Sequence, residues 1–309
     1  MSVGQKICTA AGETARTRQI FGPRSTPAET CRRVGPMKKR LNCLWQGVVA
    51  VGMAAGWIGI ARADVLTDDF SGAAIDGNKW FLPSYQSGQG QLVQTAGQLE
   101  FRGDVSPVYG RAGAGVVSRA LGLTSASWSA EVKIRLDGGT DPFPFPGMSS
   151  NDFVSANFIV EPGNLGTGIY DEHAFEANLA YVDRSIFGGS GFGHALRQSG
   201  RINDVENDVI ASLSSSGPVM LGFRIEYNET TRRLKFLYDT GSGFVQFGNE
   251  LDTTAWNMVA GDYFFINVGG VAQTLTGNPP TTTYSVGAGQ LYFDDFNASG
   301  AGITIIPEP

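Results

Sequence analysis

Residues 64–302 are predicted to form an all-β domain, an antiparallel β-sandwich. Three observations predict this class. Short runs in which apolar and polar residues alternate recur along the segment, residues typical of turns separate the runs, and only residues 203–213 and 252–258 suggest short helices. Many short alternating runs with Gly, Pro, Asn, Asp and Ser between them are typical of sandwiches and barrels.

The strands are recognised by a period of two residues. In the run 129–136, Val132, Ile134 and Leu136 share one face, and the residues between them are charged. One face of such a strand is buried and the other is wet. The same reasoning predicts further strands at 97–102, 114–119, 153–160, 174–182, 223–227, 233–238, 263–268 and 289–296.

The connections between strands differ in length. Residues 219–247 read as consecutive hairpins, because short segments rich in turn-forming residues separate three alternating runs. Residues 137–149 and 185–200 are predicted to be long loops, and loops of that length in a compact domain often have a function. No internal repeat is evident.

The first 63 residues are predicted to be a leader. Residues 37–63 begin with three basic residues, continue with an uncharged apolar run and end in Ala61-Arg62-Ala63, which is the pattern of a secretory signal peptide with its cleavage site. Residues 1–36 are polar and basic, and we interpret them as an over-extended start of the gene. A membrane anchor is the alternative reading of the apolar run, although at about 17 residues it is short for a span.

Cysteine content and charge both change at the predicted cleavage site. Cys8, Cys31 and Cys43 all precede Ala63, so a disulfide, a zinc–thiolate site or a thiol nucleophile is excluded from the mature domain. The leader holds 10 of the 23 basic residues and 2 of the 29 acidic ones, which leaves 64–309 with a net charge of −14. Such a surface repels nucleic acid and anionic membranes, so we expect neither as a partner.

The two ends of the domain resemble a known superfamily. The run Asp68-Asp69-Phe70-Ser71-Gly72, followed by residues 75–80 (IDGNKW), is similar to the first strand of the concanavalin A-like lectin/glucanase superfamily, and residues 291–296 (LYFDDF) are similar to its last. The resemblance covers about 64–298. It implies a jelly roll of two curved sheets, with the first and last strands adjacent and one face available to glycans.

The last residues resemble a second motif. Residues 305–309 (IIPEP) are similar to the start of a bacterial PEP-CTERM sorting signal, in which a membrane span and a basic tail follow. Neither follows here, so the alternatives are that the sequence is truncated within such a signal or that the match is chance. We treat 303–309 as a C-terminal tail that holds the start of the motif. Together with the leader, the motif predicts a secreted or cell-surface protein of a Gram-negative-type bacterium, with membrane contact only through the leader or a C-terminal anchor.

Glycoside hydrolysis is the enzyme activity that the resemblance makes relevant. Hydrolases of the superfamily carry E-x-D-x-E or E-x-D-x-x-E on one strand, and the nearest segment here holds Glu172 and Glu176. Two residues at i and i+4 of a strand share a face about 13 Å apart along the backbone. Ala174 stands where the superfamily has its central Asp, which argues against catalysis and leaves a solvated strand face or a sugar contact as the alternative.

Other catalytic and phosphate-binding patterns are absent from the sequence. The two histidines, His173 and His194, have no cysteine or G-x-S-x-G serine near them, and residues 188–192 fail that motif at its last position. The glycines of 189–193 are not followed by the lysine and helix of a phosphate-binding loop.

A glycan site needs aromatic rings beside a few polar groups that fix orientation. Polar residues of two predicted strands and one tryptophan meet this description, and Asn267 is a further polar residue in an apolar run. The predicted ligand-binding residues are Ser155, Asn157, Glu172, Glu176, Asn178 and Trp256.

A structural calcium ion is a further hypothesis. If the first and last strands pair, four aspartates approach one another, and carboxylate oxygens are the ligands that Ca²⁺ prefers. The predicted ligands are Asp68, Asp69, Asp294 and Asp295.

The sequence therefore favours a monomeric, secreted or surface β-sandwich that binds a polysaccharide or other glycan without catalysis. The first alternative is a glycoside hydrolase or polysaccharide lyase that uses Glu172 and Glu176. The second is a structural protein of the extracellular matrix without a specific ligand.

Overall fold

The computed structural model describes residues 64–138, 144–170, 172–215, 217–274 and 283–307. The predicted leader, residues 1–63, lies outside the described residues, as do the last two residues of the C-terminal motif. Within the part of the chain that is described, no helix is both long and apolar enough to cross a bilayer.

Nearly all regular structure in the described ranges is antiparallel β, which confirms the predicted fold class. Ten strands form the larger sheet. In spatial order its main path is β12 (Val205–Ser212), β11 (Phe192–Ile202), β10 (Ala174–Asp183), β8 (Asp152–Asn164), β16 (Asp262–Thr274), β5 (Arg111–Ser118) and β2 (Trp80–Gly88), and β6 (Ala120–Gly122), β9 (Gly168–Ile169) and β19 (Ile303–Ile305) pair beside it.

Nine strands of the described chain form the smaller sheet, which packs face to face against the larger one. Its main path is β15 (Val245–Asp252), β14 (Arg233–Asp239), β13 (Val219–Asn228), β7 (Trp128–Leu136), β18 (Leu291–Ser299), β4 (Gln98–Val105) and β17 (Tyr284–Val286), with β1 (Val65–Asp68) beside β18 and β3 (Gln91–Thr95) beside β4. The pairing of β1 with β18 joins the beginning of the domain to its end, as expected from the resemblance.

All nine strands predicted from the sequence are observed, and the consecutive hairpins are β13, β14 and β15. The second hairpin turns where the Asp239 side chain accepts hydrogen bonds from the backbone N–H groups of Gly241 and Gly243, both of which have positive φ. Asp is favoured in such turns because its side chain accepts hydrogen bonds from backbone N–H groups. Gly is favoured because it adopts positive φ without steric cost.

Two of the predictions for connecting segments are wrong. Residues 203–213 form no helix, because β12 pairs along its whole length with β11 at the edge of the larger sheet. Residues 185–200 are not one long loop, since a 3-10 helix (Arg184–Phe187) and most of β11 occupy them. Residues 252–258, the other segment that suggested a short helix, hold a single 3-10 turn, Thr253–Trp256.

The core lies between the two sheets and is rich in aromatic rings. Trp80 stacks on Phe70 at 5.6 Å between ring centroids and meets Phe296 at 4.8 Å. Elsewhere in the core, Trp128 of β7 packs against Tyr227 of β13 and Phe264 of β16. Burial of such large apolar side chains dominates the stability of a sandwich.

Asp68 fixes the joint between the two ends of the chain. Its buried carboxylate accepts hydrogen bonds from Trp80 Nε1 at 2.7 Å, from the Phe70 backbone N–H at 3.0 Å and from Lys79 Nζ at 3.0 Å. These three donors orient the tryptophan that packs against Phe296 of β18. The carboxylate is thus part of the core rather than of an open site.

We predict that Asp68→Ala destabilises the protein by about 2–4 kcal/mol, because the indole N–H of Trp80 and the lysine lose their buried acceptor. Chemical denaturation measures the change. Asp69→Ala is the matched control, since Asp69 is exposed and its carboxylate accepts a hydrogen bond from the backbone N–H of Ser71 rather than from the core. Equal losses for the two variants would contradict this role of Asp68.

Candidate functional site

A groove of about 560 Å³ runs over the outer face of the larger sheet, on the side away from the core. Its floor consists of alternate residues of β8, β10 and β16. In β8 these are Phe153, Ser155, Asn157, Ile159 and Glu161, and the residues between them are fully buried in the core. Because successive side chains point to opposite faces, one strand supplies both the core and the groove.

Strand β10 follows the same rule and lies beside β8. Glu176 and Asn178 line the groove, whereas Phe175, Leu179 and Tyr181 are fully buried. The parity predicted for this strand from the sequence therefore agrees with the structure.

A stripe of hydrogen-bonded polar side chains crosses the middle of the groove. Asn178 lies opposite Asn157 in the register and donates from Nδ2 to Asn157 Oδ1 at 2.9 Å. Ser155 Oγ donates to the same oxygen at 2.7 Å, and Arg197 of β11 donates to Asn178 Oδ1 at 3.4 Å. We call Ser155, Asn157, Asn178 and Arg197 the amide stripe.

A second polar group lies beside the stripe and deeper in the sheet. Glu161 and Asn267 of the neighbouring strand β16 are both almost completely buried, and Asn267 Nδ2 donates to Glu161 Oε2 at 2.6 Å. Arg201 of β11 approaches the other oxygen of Glu161 at 3.7 Å. Asn267 Oδ1 has no hydrogen-bond partner among the described residues, which is a costly state for a buried acceptor.

Glu176 is the acidic residue of β10 that lies beside the amide stripe. Its carboxylate lies 3.6 Å from Arg197, which also contacts Asp208 at 3.0 Å and Glu206 at 3.4 Å. Burial raises the pKa of Glu176, and the charges of Arg197 and Arg201 offset this only in part. The Glu176 side chain is 23% exposed, but the groove excludes enough water from it that desolvation is the largest effect on its pKa.

Arg197 holds its charge despite its surroundings. Burial works against the guanidinium, but the three carboxylates beside it overcome that effect and raise the pKa of Arg197. The residue is therefore a fixed cation that ties the edge strand β12, which carries Glu206 and Asp208, to the groove.

The remaining walls combine aromatic rings with bare backbone. Tyr85 of β2, Phe153 of β8 and Phe187 of the 3-10 helix line the groove. Between them, Gly115 of β5 faces Gly269 of β16 in the register, so that this part of the floor has no side chains. A Cβ on Gly269 would lie 2.5 Å from the carbonyl oxygen of Ala114, which shows how tightly the two strands approach there.

Four of the six predicted ligand-binding residues come together in the groove: Ser155, Asn157, Glu176 and Asn178. Glu172 does not join them, because it lies exposed in the turn before β10 begins at Ala174. The predicted pair of Glu172 and Glu176 on one strand is therefore wrong.

Trp256 also lies outside the groove. It is 3% exposed, in the 3-10 turn after β15, and stacks on His173 with 5.9 Å between the ring centroids. Its other aromatic neighbour is Phe264 of the core. A ring in this position fills the core and offers no face to a ligand.

The four aspartates predicted to hold calcium do not form one set. Asp68 is bound by the core donors described above, and Asp295 is paired with Lys133 at 2.5 Å. Burial raises the pKa of Asp294, whereas the hydroxyl and backbone N–H of Ser71 lower that of Asp69. In the described ranges no three or more His, Cys, Asp and Glu side chains are grouped so as to hold a metal ion, and calcium binding stays a prediction.

Several groove residues were missed by the sequence reasoning. Glu161, Arg197, Arg201, Glu206 and Asp208 all line the groove. Continuing the alternation Ser155, Asn157, Ile159 by one more step would have found Glu161. Arg197 lies in the segment that was predicted to be a loop, and Glu206 and Asp208 lie in the segment that suggested a helix, so no strand parity was assigned to them. Arg201 lies between these two segments.

Comparisons with known proteins give weak similarities only. No family model matches the chain, and no curated protein matches it. Among solved structures, the catalytic domain of an endo-1,3-β-glucanase (laminarinase) from Thermotoga petrophila aligns with a TM-score of 0.47 and 12% identity, over 78% of this chain and 99% of its own.

Two plant proteins align at a similar level. The winged bean acidic lectin complexed with methyl-α-D-galactose has a TM-score of 0.45 and 10% identity over 79% of this chain and 100% of its own. Arcelin-5, a lectin-like defence protein from Phaseolus vulgaris, has a TM-score of 0.41 and 11% identity over 79% of this chain and 99% of its own. Similarities this weak say nothing about what the chain binds.

We predict that Glu176→Gln raises the melting temperature at pH 7–8. A raised pKa means that the folded protein binds this proton more tightly than the unfolded chain, so ionisation of Glu176 costs stability as the pH rises. The gain is expected to shrink as the pH falls and to vanish below the usual value of 4.5, where both states are protonated. Calorimetry between pH 4 and 8 measures this.

Glu226→Gln is the matched control for this measurement. Glu226 lies on the outer face of the smaller sheet and lies 3.5 Å from Arg224, much as Glu176 lies 3.6 Å from Arg197. Glu226→Gln should not raise the melting temperature at neutral pH. A loss of stability in Glu176→Gln at pH 7–8 would contradict the assignment of burial as the dominant effect.

Proposed function

We propose that the protein binds carbohydrate chains in the groove of the larger sheet and acts as a lectin-like binding protein without catalysis. The observation that carries the proposal is the amide stripe. Its amides, hydroxyl and guanidinium are held in place by one another, and such preorganised groups bind the hydroxyls of a sugar without losing further side-chain freedom.

The walls of the groove support the same ligand class. Sugar rings have apolar faces formed by C–H groups and edges lined with hydroxyls. The rings of Tyr85, Phe153 and Phe187 suit the faces, and the amide stripe suits the edges. A few oriented polar groups beside apolar surface are the usual composition of a small-molecule site.

The proposal places the protein outside the cell, as a secreted or surface monomer. It rests on the leader pattern of residues 37–63 and on the absence of cysteine after Ala63. A mature N-terminus at Asp64, found by mass spectrometry of the exported protein, is the expected result. An unprocessed chain that stays in the cytoplasm would contradict this part of the proposal.

We predict that Asn157→Ala weakens glycan binding by about tenfold, the equivalent of one or two hydrogen bonds in a site of this kind. A glycan array identifies a bound oligosaccharide, and calorimetric titration then measures its dissociation constant. Gln246→Ala is the control, because Gln246 is exposed on β15 in the smaller sheet. Equal affinities for Asn157→Ala and the unchanged protein would contradict the site.

Glycoside hydrolysis is the second candidate function, and a different pair of residues favours it. Glu176 lies opposite Ile159 in the register, so Glu161 is its diagonal neighbour on β8. Diagonal residues of an antiparallel pair are about 7–8 Å apart at Cα, and side chains at that spacing fall in the range used by glycosidases. Glu176, with its raised pKa, suits the proton donor, and Glu161 suits the base or nucleophile.

Release of reducing sugar from a panel of polysaccharides tests the second candidate. If the protein is a hydrolase, Glu161→Gln and Glu176→Gln each lower the rate by about 100-fold or more while binding persists. Glu172→Gln is the control, because that side chain lies outside the groove. Binding without any sugar release would leave the lectin-like function and exclude hydrolysis of the panel.

A further inference from the structure

The charges of the groove are divided unequally between its two ends. At the end formed by β10, β11 and β12, the single cation Arg197 is shared by Glu176, Glu206 and Asp208. Arg201 of β11 lies 3.7 Å from Glu161 of β8, the strand next to β10. With Glu161 included, this side of the groove holds four carboxylates and two guanidiniums, a net formal charge of −2; the third guanidinium of the lining, Arg111, lies on the opposite wall.

Glu176 has acceptor capacity that the protein does not use. Its only ion pair in the described ranges is the 3.6 Å contact with Arg197, which is too long for a hydrogen bond, and no hydrogen bond between described residues reaches its carboxylate. A desolvated carboxylate without a hydrogen-bond donor is unfavourable. A ligand that brings an N–H or O–H group to this position would satisfy it.

Asn267 gives an independent sign of the same kind. It is 3% exposed, its side chain lines the groove, and its Oδ1 has no partner among the described residues while its Nδ2 is committed to Glu161. The orphan atom is an acceptor, as are the free lone pairs of Glu176. Two donors of the groove, Nε of Arg111 and Nε of Arg201, also have no partner among the described residues. The unused acceptors are therefore those of Glu176 and Asn267, and a uronate or a sulfated sugar brings no charged donor to them.

We infer that the groove selects a cationic glycan, a chain whose sugars carry protonated amino groups, and that the carboxylates around Arg197 bind those amines. The inference rests on the proposed function and narrows its ligand class. An ammonium group donates three hydrogen bonds and cancels one negative charge, so it suits both the unused acceptors of Glu176 and Asn267 and the excess of negative charge.

A metal ion fits this end less well than an organic cation. The guanidinium of Arg197 occupies the space between Glu176, Glu206 and Asp208, and no metal-ligating group of three or more side chains was found in the described residues. Amines spaced along a polysaccharide can bind the outer lone pairs of these carboxylates without displacing Arg197. The net charge of −14 on residues 64–309 would also speed the approach of a cationic chain.

The test compares two ligands of equal length, a hexamer of β-1,4-linked glucosamine and its fully N-acetylated counterpart. Titration calorimetry is carried out on the full chain at pH 6 and low salt, and again at high salt. The glucosamine hexamer is expected to bind about tenfold more tightly, the effect of one hydrogen bond to a charged group. The difference should decrease as salt is added.

A double variant and a matched control separate the site from general attraction. Glu206→Gln with Asp208→Asn removes two charges from the groove and should reduce the preference to about twofold or less. Glu131→Gln with Glu226→Gln removes two charges from the outer face of the smaller sheet, where both residues contact Arg224 in a similar arrangement, and should leave the preference unchanged. Melting temperatures confirm that each variant is folded.

The outcomes distinguish the inference from the proposed function. Equal or tighter binding of the acetylated hexamer would overturn the cationic ligand while leaving carbohydrate binding in place. An equal loss of preference in the groove variant and the control would also overturn it, because the attraction would then come from the whole surface. If neither hexamer nor any other glycan binds, both fail.

Discussion

In each strand of the larger sheet, the residues that face the core determine which residues face the groove. This follows because consecutive side chains of a strand point in opposite directions. In β8 the even-numbered residues Val154 to Val160 complete the core, so the odd-numbered residues must line the groove. A shift of one residue in register would bring Asn157 into the core and expose Phe158. The groove therefore exists only while the core holds each strand in its register.

This dependence explains why polar side chains are tolerated so deep in the molecule. Glu161 and Asn267 are buried at the bottom of the groove, and a buried polar pair normally lowers stability unless every atom is satisfied. Asn267 Oδ1 and the carboxylate of Glu176 accept no hydrogen bond from the described residues. The aromatic core on the other side of the sheet, which includes Trp80 and Trp128, supplies the stability that such groups reduce. Polar groups that lower the stability of the fold and are gathered in one groove are typical of a binding site.

The sequence predicted the fold class well and the site in part, for the same physical reason. Alternation is strong in strands that face the core on one side, so β7, β8 and β10 were found and Ser155, Asn157, Glu176 and Asn178 were placed on one face. The edge strand β12 is exposed on both faces over Val205–Asp208, so its residues do not alternate between apolar and polar, and the segment suggested a helix. Strand β11 begins directly after glycines that suggested a loop, so Arg197 and Arg201 were overlooked.

The two errors among the predicted site residues have local causes. Glu172 shares the parity of Glu176, but parity has meaning only within a strand, and β10 begins two residues after Glu172. Trp256 lies in a 3-10 turn that Asp252 caps, and only the tertiary fold brings it against His173 and Phe264. Contacts of this kind between distant segments carry no signal in a single sequence.

The central claim is that a glycan binds on the outer face of the larger sheet, and amide hydrogen exchange with the tightest-binding oligosaccharide of a glycan array tests it most directly. The account predicts that the ligand slows exchange in β8, β10, β11 and β16, whose side chains line the groove, and leaves the smaller sheet unchanged. Protection confined to β7, β13 and β14 would place the ligand on the opposite face of the sandwich and would contradict the account.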